Sequence, residues 1–210
     1  LSLGEKLTPH ERTLILVGEA GVGKTFLMQP LAVGLGQKGH EVGFAAPTNK
    51  AARILAAKTN REVKTVHALA YERPVTDEHT GELLGFVKNG EGSVAPSGGA
   101  LQIIDEASMV GKKLHDDMFK ALGHDAIVLF VGDDGQLPPV IAARGVDLEH
   151  PHVRLTQVHR QAADSPILQR ARELRASRSS LTPDLVRGWG NAVHSVQGLD
   201  VGVHIAQGKA

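Results

Sequence analysis

Three short segments of this chain carry residue types that can do chemistry on a phosphate. The first is GEAGVGKT, Gly18–Thr25. Its glycines let the backbone take positive φ, so that successive amide N–H groups converge on phosphate oxygens. Gly18, Glu19, Ala20, Gly21, Val22 and Gly23 would form that cradle. Lys24 would set a positive charge on the outer phosphates, and the Thr25 hydroxyl would ligate Mg²⁺. The second segment is LQIIDEAS, Leu101–Ser108, an apolar run that ends in two carboxylates. Asp105 at its tip can hold the magnesium shell, and Glu106 can orient or deprotonate an attacking water. The third is LFVGDDGQLPPV, Leu129–Val140, in which Gln136 follows Gly132 and Asp133. A neutral glutamine can hydrogen-bond a γ-phosphate oxygen or the lytic water without changing the charge of the site.

The elements that must position these residues follow from the apolar pattern. Thr13–Val17, Glu41–Ala46, Leu101–Ile104 and Ala126–Val131 are short, continuous apolar runs, the pattern of strands buried on both faces of a parallel sheet. Between them, Lys24 to about Leu35, Asn49–Lys58 and about Gly111 to Leu122 read as helices, with Thr48 as the N-cap of the second. Strand and helix in alternation predict an α/β fold, a mostly parallel sheet with helices on both faces. The glycine-rich stretch from Gly81 to Gly99 reads as an excursion from that sheet, with a hairpin around His79–Glu82. After Arg160 the pattern weakens. Ser165–Ala176 reads as an Arg-rich amphipathic helix and Val201–Ile205 as a strand.

Composition narrows the functional classes. At 210 residues and 41% hydrophobic the chain can bury a real core, which argues against disorder. The absence of cysteine excludes a disulfide framework, a thiol nucleophile and a Cys-ligated metal. No apolar run approaches the roughly 20 residues of a membrane span. LSLGEKLTPHER at the start is no signal peptide, and the lack of an initiator Met fits a fragment or a processed product. Net charge is zero, yet Lys50, Arg53, Lys58, Arg61 and Lys64 cluster against Glu62 alone. With five Phe, one Tyr and one Trp, a broad base-stacking platform is not available. Any grip on nucleic acid must then lean on the phosphate backbone. His150 and His152 lack a third ligand at suitable spacing, so a solvent-exposed pair is expected rather than a metal site.

In order, the chain carries GEAGVGKT, AAPTNKAAR (Ala45–Arg53), KTVHAL (Lys64–Leu69), IIDEASMV, VGDDGQLPPV and LTQVHRQ (Leu155–Gln161). This series resembles superfamily 1 DNA helicases of the RecD-like and Dda-like branch, over about Thr13 to Arg175. The resemblance implies a RecA-like P-loop NTPase fold that binds ATP with Mg²⁺. Lys24 and Thr25 match the Walker A pair, and Asp105 and Glu106 the Walker B pair. Gln136 matches a glutamine that couples the γ-phosphate to DNA, and Arg160 an arginine that reaches the γ-phosphate, where transition-state charge needs a cation. Pro47, Thr48 and Asn49, followed by Thr65 and His67, match motifs that contact single-stranded DNA. Short polar side chains suit phosphate and sugar contacts, which position without reading sequence. For His67 a histidine within its own short helix remains the alternative. Pro74–Val87 falls where the family holds a duplex-separating hairpin, with Phe86 either an aromatic wedge or an apolar cover for the hairpin.

The resemblance also marks departures. Family members carry a complete second lobe, and here only NAVHSVQGLD, Asn191–Asp200, resembles its DNA-gripping motif, giving His194, Ser195, Gln197 and Gly198 possible roles. No counterpart of the late arginine motif stands in Val201–Ala210, nor of the adenine-contacting glutamine in Leu1–Arg12. The expected organisation is a nucleotide-binding lobe over 1–160, with an insertion at 71–99, and a remnant of a second lobe over 161–210. The expected activity is that of an ATP-dependent 5′→3′ DNA helicase, with single-stranded DNA or a fork as partner and other replication or recombination proteins beside it. It would work in the cytoplasm of a bacterial or phage-infected cell, with no membrane involved. Translocation needs two lobes that close around ATP, so this chain alone is expected to unwind poorly. A nucleotide-gated DNA-binding or partner-interaction module without motor activity is the alternative. A P-loop kinase or GTPase lacks support, because no Asn/Thr-Lys-x-Asp guanine-selecting motif is present.

Overall fold

A computed structural model of the chain describes residues 7–94, 101–136 and 142–156. All of them lie in one compact unit, Leu1–Arg160, and the second unit, Gln161–Ala210, falls outside the described residues. The predicted strands form as β1 (Thr13–Gly18), β2 (Val42–Ala46), β6 (Leu101–Ile104) and β7 (Ile127–Gly132). The predicted helices form as α1 (Lys24–Gln37), α2 (Asn49–Thr59) and α4 (Lys112–Leu122). Thr48 caps α2 as its position suggests, its hydroxyl oxygen accepting the Ala51 N–H at 3.2 Å. Three elements are too short to leave a periodic signature: β3 (Lys64–Thr65), α3 (Val66–Ala70) and β8 (Val153–Leu155).

The main sheet has six strands in the order β3-β2-β6-β7-β1-β8, and every neighbouring pair is parallel. β7 therefore stands between β1 and β6, in register Thr13 with Val128 on one side and Leu101 with Ile127 on the other. Both faces are covered, which is why these strands read as unbroken apolar runs. Ile15, Val17, Ile104, Val128 and Phe130 pack on one face with Val66, Leu69 and Ala70 of α3 and Met118, Phe119 and Leu122 of α4. Leu16, Phe44, Ile103, Leu129 and Val131 pack on the other with Met28 and Ala32 of α1 and Leu55 of α2. At about 25 cal/mol per Å² of apolar surface, these two layers supply the main drive to fold.

The expected hairpin is present and stands apart as a two-stranded sheet of β4 (Tyr71–Thr76) and β5 (Leu83–Lys88). Its turn spans Asp77–Glu82, where the Asp77 carboxylate accepts the N–H groups of His79 and Thr80 at 2.8 Å each. The expected Ser165–Ala176 helix and Val201–Ile205 strand lie outside the described residues.

Candidate functional site

The carboxyl ends of parallel strands are where open α/β sheets bind ligands, and all three candidate segments end there. β1 runs into Gly18–Thr25, β6 into Asp105 and Glu106, and β7, between them, into Asp133 and Gln136. The loop after β1 needs its glycines. Gly21 and Gly23 take φ of 92° and 90°, the left-handed region that side chains rarely adopt, and Gly23 opens α1. At Gly18 an added Cβ would lie 2.6 Å from Val22 Cγ2 and 3.0 Å from the Leu155 carbonyl oxygen, so a side chain there would separate the loop from β8.

Lys24 donates from Nζ to the Gly18 and Glu19 carbonyl oxygens, at 2.6 and 3.0 Å. The ammonium is thus held at the mouth of the loop by acceptors that phosphate oxygens can replace. Thr25 follows in the first turn of α1. Burial pushes the Asp105 carboxyl up from its ordinary value. The Glu106 backbone N–H, donating to Asp105 Oδ1 at 2.9 Å, opposes that rise, the Glu106 charge adds to it, and the charges of Lys24 and Lys58 oppose it. Lys24 and Asp105 therefore feel one another's field, as a shared ligand requires. Glu106 itself takes φ 52° and ψ 42°, a left-handed backbone on a non-glycine residue. Such strain costs of order 1–3 kcal/mol and persists where the surroundings over-determine it.

A buried carboxylate disfavoured as an anion is a donor suited to a hard divalent cation, and the Thr25 hydroxyl offers another oxygen of the same kind. Among the described residues no group of three or more His, Cys, Asp or Glu could hold a metal by itself. A cation between Thr25 and Asp105 would complete its shell with phosphate and water, the habit of Mg²⁺. His150 and His152 do different work. His150 bonds Asp147 at 2.8 Å, and His152 Nδ1 accepts the Ile15 N–H at 3.1 Å, so the pair does not converge.

Gln136 is fixed by a residue the sequence did not single out. Ser108 Oγ donates to Gln136 Oε1 at 2.7 Å, and the Gln136 N–H donates to the Asp133 carbonyl oxygen at 3.1 Å. Asp133 is 1% exposed and its carboxylate accepts the Gly135 N–H at 2.9 Å, which shapes the turn. Ser108 stands within the acid-pair motif, but only the strand order brings it beside the end of β7.

The candidate DNA residues gather at the opposite side of the same sheet edge. Ala46 pairs with Thr65, so Pro47, Thr48 and Asn49 after β2 adjoin Thr65 and His67 beside β3. Thr65 caps α3, its hydroxyl oxygen accepting the Ala68 N–H at 3.0 Å. A capping hydroxyl uses a lone pair and keeps its proton to donate. His67 lies in α3, its ring 5.9 Å from Tyr71 and 6.1 Å from Phe86. Phe86 stacks on Tyr71 at 5.1 Å and pairs with Pro74, away from the hairpin turn. Leu83 and Leu84, next to that turn, are more exposed, at 55% and 65% against 43% for Phe86. Arg160, His194 and Ser195, with Gln197 and Gly198, lie outside the described residues.

A protein family described as an AAA domain matches residues 3–194. The chain belongs to the AAA domain family. Membership of this family implies nucleotide binding. Among individual relatives, the ATP-dependent RecD2 DNA helicase of Deinococcus radiodurans is 39% identical over 82% of this chain and 23% of its own length. The ATP-dependent DNA helicase dda of Enterobacteria phage T4 is 28% identical over 75% of this chain and 36% of its own. The crystal structure of Pif1 helicase from Candida albicans superposes with a TM-score of 0.56 at 20% identity, covering 84% of this chain and 43% of that one. That likeness shows a shared fold. The AAA domain chain spans between about a quarter and about a third of the length of these curated relatives. Among the described residues no helix is long and apolar enough to cross a membrane.

Proposed function

We propose that this chain is the ATP-hydrolysing lobe of a DNA helicase, its nucleotide turnover coupled to a grip on single-stranded DNA. The observation that carries the reading is the meeting of the Gly18–Thr25 loop, the Asp105–Glu106 pair and Gln136 at one sheet edge, with Pro47–Asn49 and Thr65–His67 farther along it. The names of its relatives point the same way.

On this reading the amides of Gly18–Gly23 hold the phosphates, and Lys24 exchanges its loop carbonyls for the outer phosphate oxygens. Mg²⁺ held by Thr25 and Asp105 would supply Lewis-acid stabilisation of the charge that develops on the transferred phosphoryl group. Glu106 orients the attacking water and takes its proton. Gln136, held by Ser108, bonds the γ-phosphate or that water and reports occupancy toward the DNA edge. Arg160 contributes a cation to the same phosphate. Thr48 and Thr65 donate hydroxyl protons to backbone phosphates, and the exposed Lys50 and Arg53 add charge, so binding tracks the strand without reading bases. Residues 1–160 are the motor lobe, 71–99 its insertion, and 161–210, with His194 and Ser195, part of a second lobe. A 5′→3′ direction, a cytoplasmic setting in a bacterial or phage-infected cell, and company with replication or recombination proteins belong to the same reading.

ATPase assays on the purified chain with and without oligo-dT test it. Stimulation by single-stranded DNA is expected. ATP binding without turnover, unmoved by DNA, would instead favour a nucleotide-gated binding module.

A further inference from the structure

Asp117 has no part in the nucleotide site, yet it is buried. It stands mid-way along α4, at 5% exposure, on the helix face that packs against the core. A buried carboxylate is costly unless it is paired and hydrogen-bonded; the hydrogen bonds to this one come from the hairpin, and Lys113 of α4 adds an ion pair at 3.6 Å. Tyr71 Oη donates to Asp117 Oδ2 at 2.9 Å, and Lys88 Nζ donates to Oδ1 at 2.6 Å. Tyr71 opens β4 and Lys88 closes β5, and the two are partners in the register. One carboxylate thus ties both strands, at the base of the hairpin, onto α4. Lys113, one turn before, adds a contact at 3.4 Å to Tyr71 Oη and lies 5.5 Å from the centre of its ring.

The next residue ties the hairpin to α3. Asn89 donates its side-chain amide to the carbonyls of Ala68 and Leu69, at 3.2 and 2.9 Å, and its backbone N–H to Ala70 at 3.0 Å. Those are the open carbonyls at the end of a helix that begins beside Thr65 and carries His67. At the other end, α4 starts shortly after Glu106, through the tight turn Ala107–Met109 and Gly111. The hairpin base therefore touches one helix that leads from the acid pair and another that leads from the candidate DNA residues.

We infer that Asp117 is a positioning residue: it clamps Tyr71 and Lys88 so that the β4–β5 hairpin moves as one body with α4 and meets a DNA fork at a fixed angle. The clamp rests on these side chains alone, whereas its role at a fork rests on the helicase reading above. A hairpin of two strands is marginally stable by itself, so without the clamp it would fluctuate against the lobe.

Amide hydrogen exchange on the 210-residue chain tests the clamp. Asp117→Asn should raise exchange of the Glu72–Val87 amides about tenfold or more, the scale of a lost charge-assisted hydrogen bond, while β1, β6 and β7 keep their protection. Lys88→Gln, at a half-exposed side chain, should do the same without disturbing the core, and Lys88→Arg should retain protection. Hairpin rates unchanged in both Asp117→Asn and Lys88→Gln would overturn the clamp, as would a rise shared equally by the central strands. In ATPase assays Asp117→Asn should leave the half-saturating concentration of oligo-dT as it is and raise that of a forked duplex by about tenfold, the same lost bond expressed in binding. Equal shifts for both DNAs, or no shift with the fork, would overturn the fork role. A wild-type chain that no DNA stimulates would defeat the helicase reading, and the exchange pattern would still decide the clamp.

Discussion

Ser108 and Gln136 are joined by a 2.7 Å hydrogen bond between the segments that follow β6 and β7. A glutamine side chain has three rotatable bonds, and a sensor of the γ-phosphate works only if it is already aimed. The serine hydroxyl holds the oxygen and leaves the amide N–H groups to face a ligand. Ser108→Ala should therefore leave ATP affinity unchanged and lower turnover about tenfold, the worth of about one misdirected hydrogen bond. Steady-state kinetics beside nucleotide titration separates the two effects.

Glu106→Gln removes a carboxylate without moving Asp105. Nucleotide binding should survive, and hydrolysis should fall by about 10²-fold or more, the usual contribution of a positioned base. Turnover at the wild-type rate would show that another group activates the water. Lys24→Ala, by contrast, should weaken binding itself, because the charge at the loop mouth is lost. Fluorescent ATP-analogue titration distinguishes the variants.

On the proposed reading, Asp105 is held for chemistry at the expense of stability. Burial lifts its carboxyl, so its ionisation opposes folding, and that opposition grows as pH rises through its folded pKa. Asp105→Asn keeps an oxygen to accept the Glu106 N–H and removes the charge. In buffer free of metal and nucleotide at neutral pH it should raise the melting temperature by about 2–4 °C, the shift for roughly 1 kcal/mol in a chain of this size. The gain should shrink on acidification and disappear below the unfolded carboxyl pKa, where both states are protonated. Calorimetry across pH checks both the rise and its loss.

Asp117 should behave in the opposite sense. Burial alone would raise its carboxyl, but the hydrogen bonds from Lys88 and Tyr71 and the charges of Lys88 and Lys113 outweigh it and hold the group below its ordinary value. The stabilisation is present above the unfolded carboxyl pKa and is lost as pH falls through the lower folded one. Wild type should lose hairpin protection on acidification below about pH 4, and Asp117→Asn should flatten that limb, its hairpin being less protected already at neutral pH. Hydrogen exchange at several pH values, corrected for the intrinsic rates, reads both.

Gly18→Ala isolates the packing of the loop from its charge. The new methyl meets the Leu155 carbonyl oxygen, a backbone atom that cannot swing away, as well as Val22. The loop must leave β8, and nucleotide affinity should drop by about tenfold or more while the sheet stays folded, because a lost phosphate amide is worth a charge-assisted bond. Circular dichroism with ATP titration makes the comparison.

The glycine loop of the candidate site and the strands around it were legible from the chain itself because local rules govern them. A loop that needs left-handed residues must place glycines where Gly21 and Gly23 stand, and strands covered on both faces must be apolar from end to end. The order of motifs along the chain was likewise enough to suggest a family. Spacing alone does not say which strand ends lie side by side. Only the order β3-β2-β6-β7-β1-β8 puts Gln136 within reach of Ser108 and sets Lys24 in the field of Asp105. Short elements such as α3 and β8 are fixed by what they pack against, and so carry no period to read. Asp117 and Lys88 look like ordinary charges on a solvated helix and strand. Their pairing became visible only when the hairpin folded back on α4, since a long-range ion pair depends on tertiary approach and leaves no pattern along the chain.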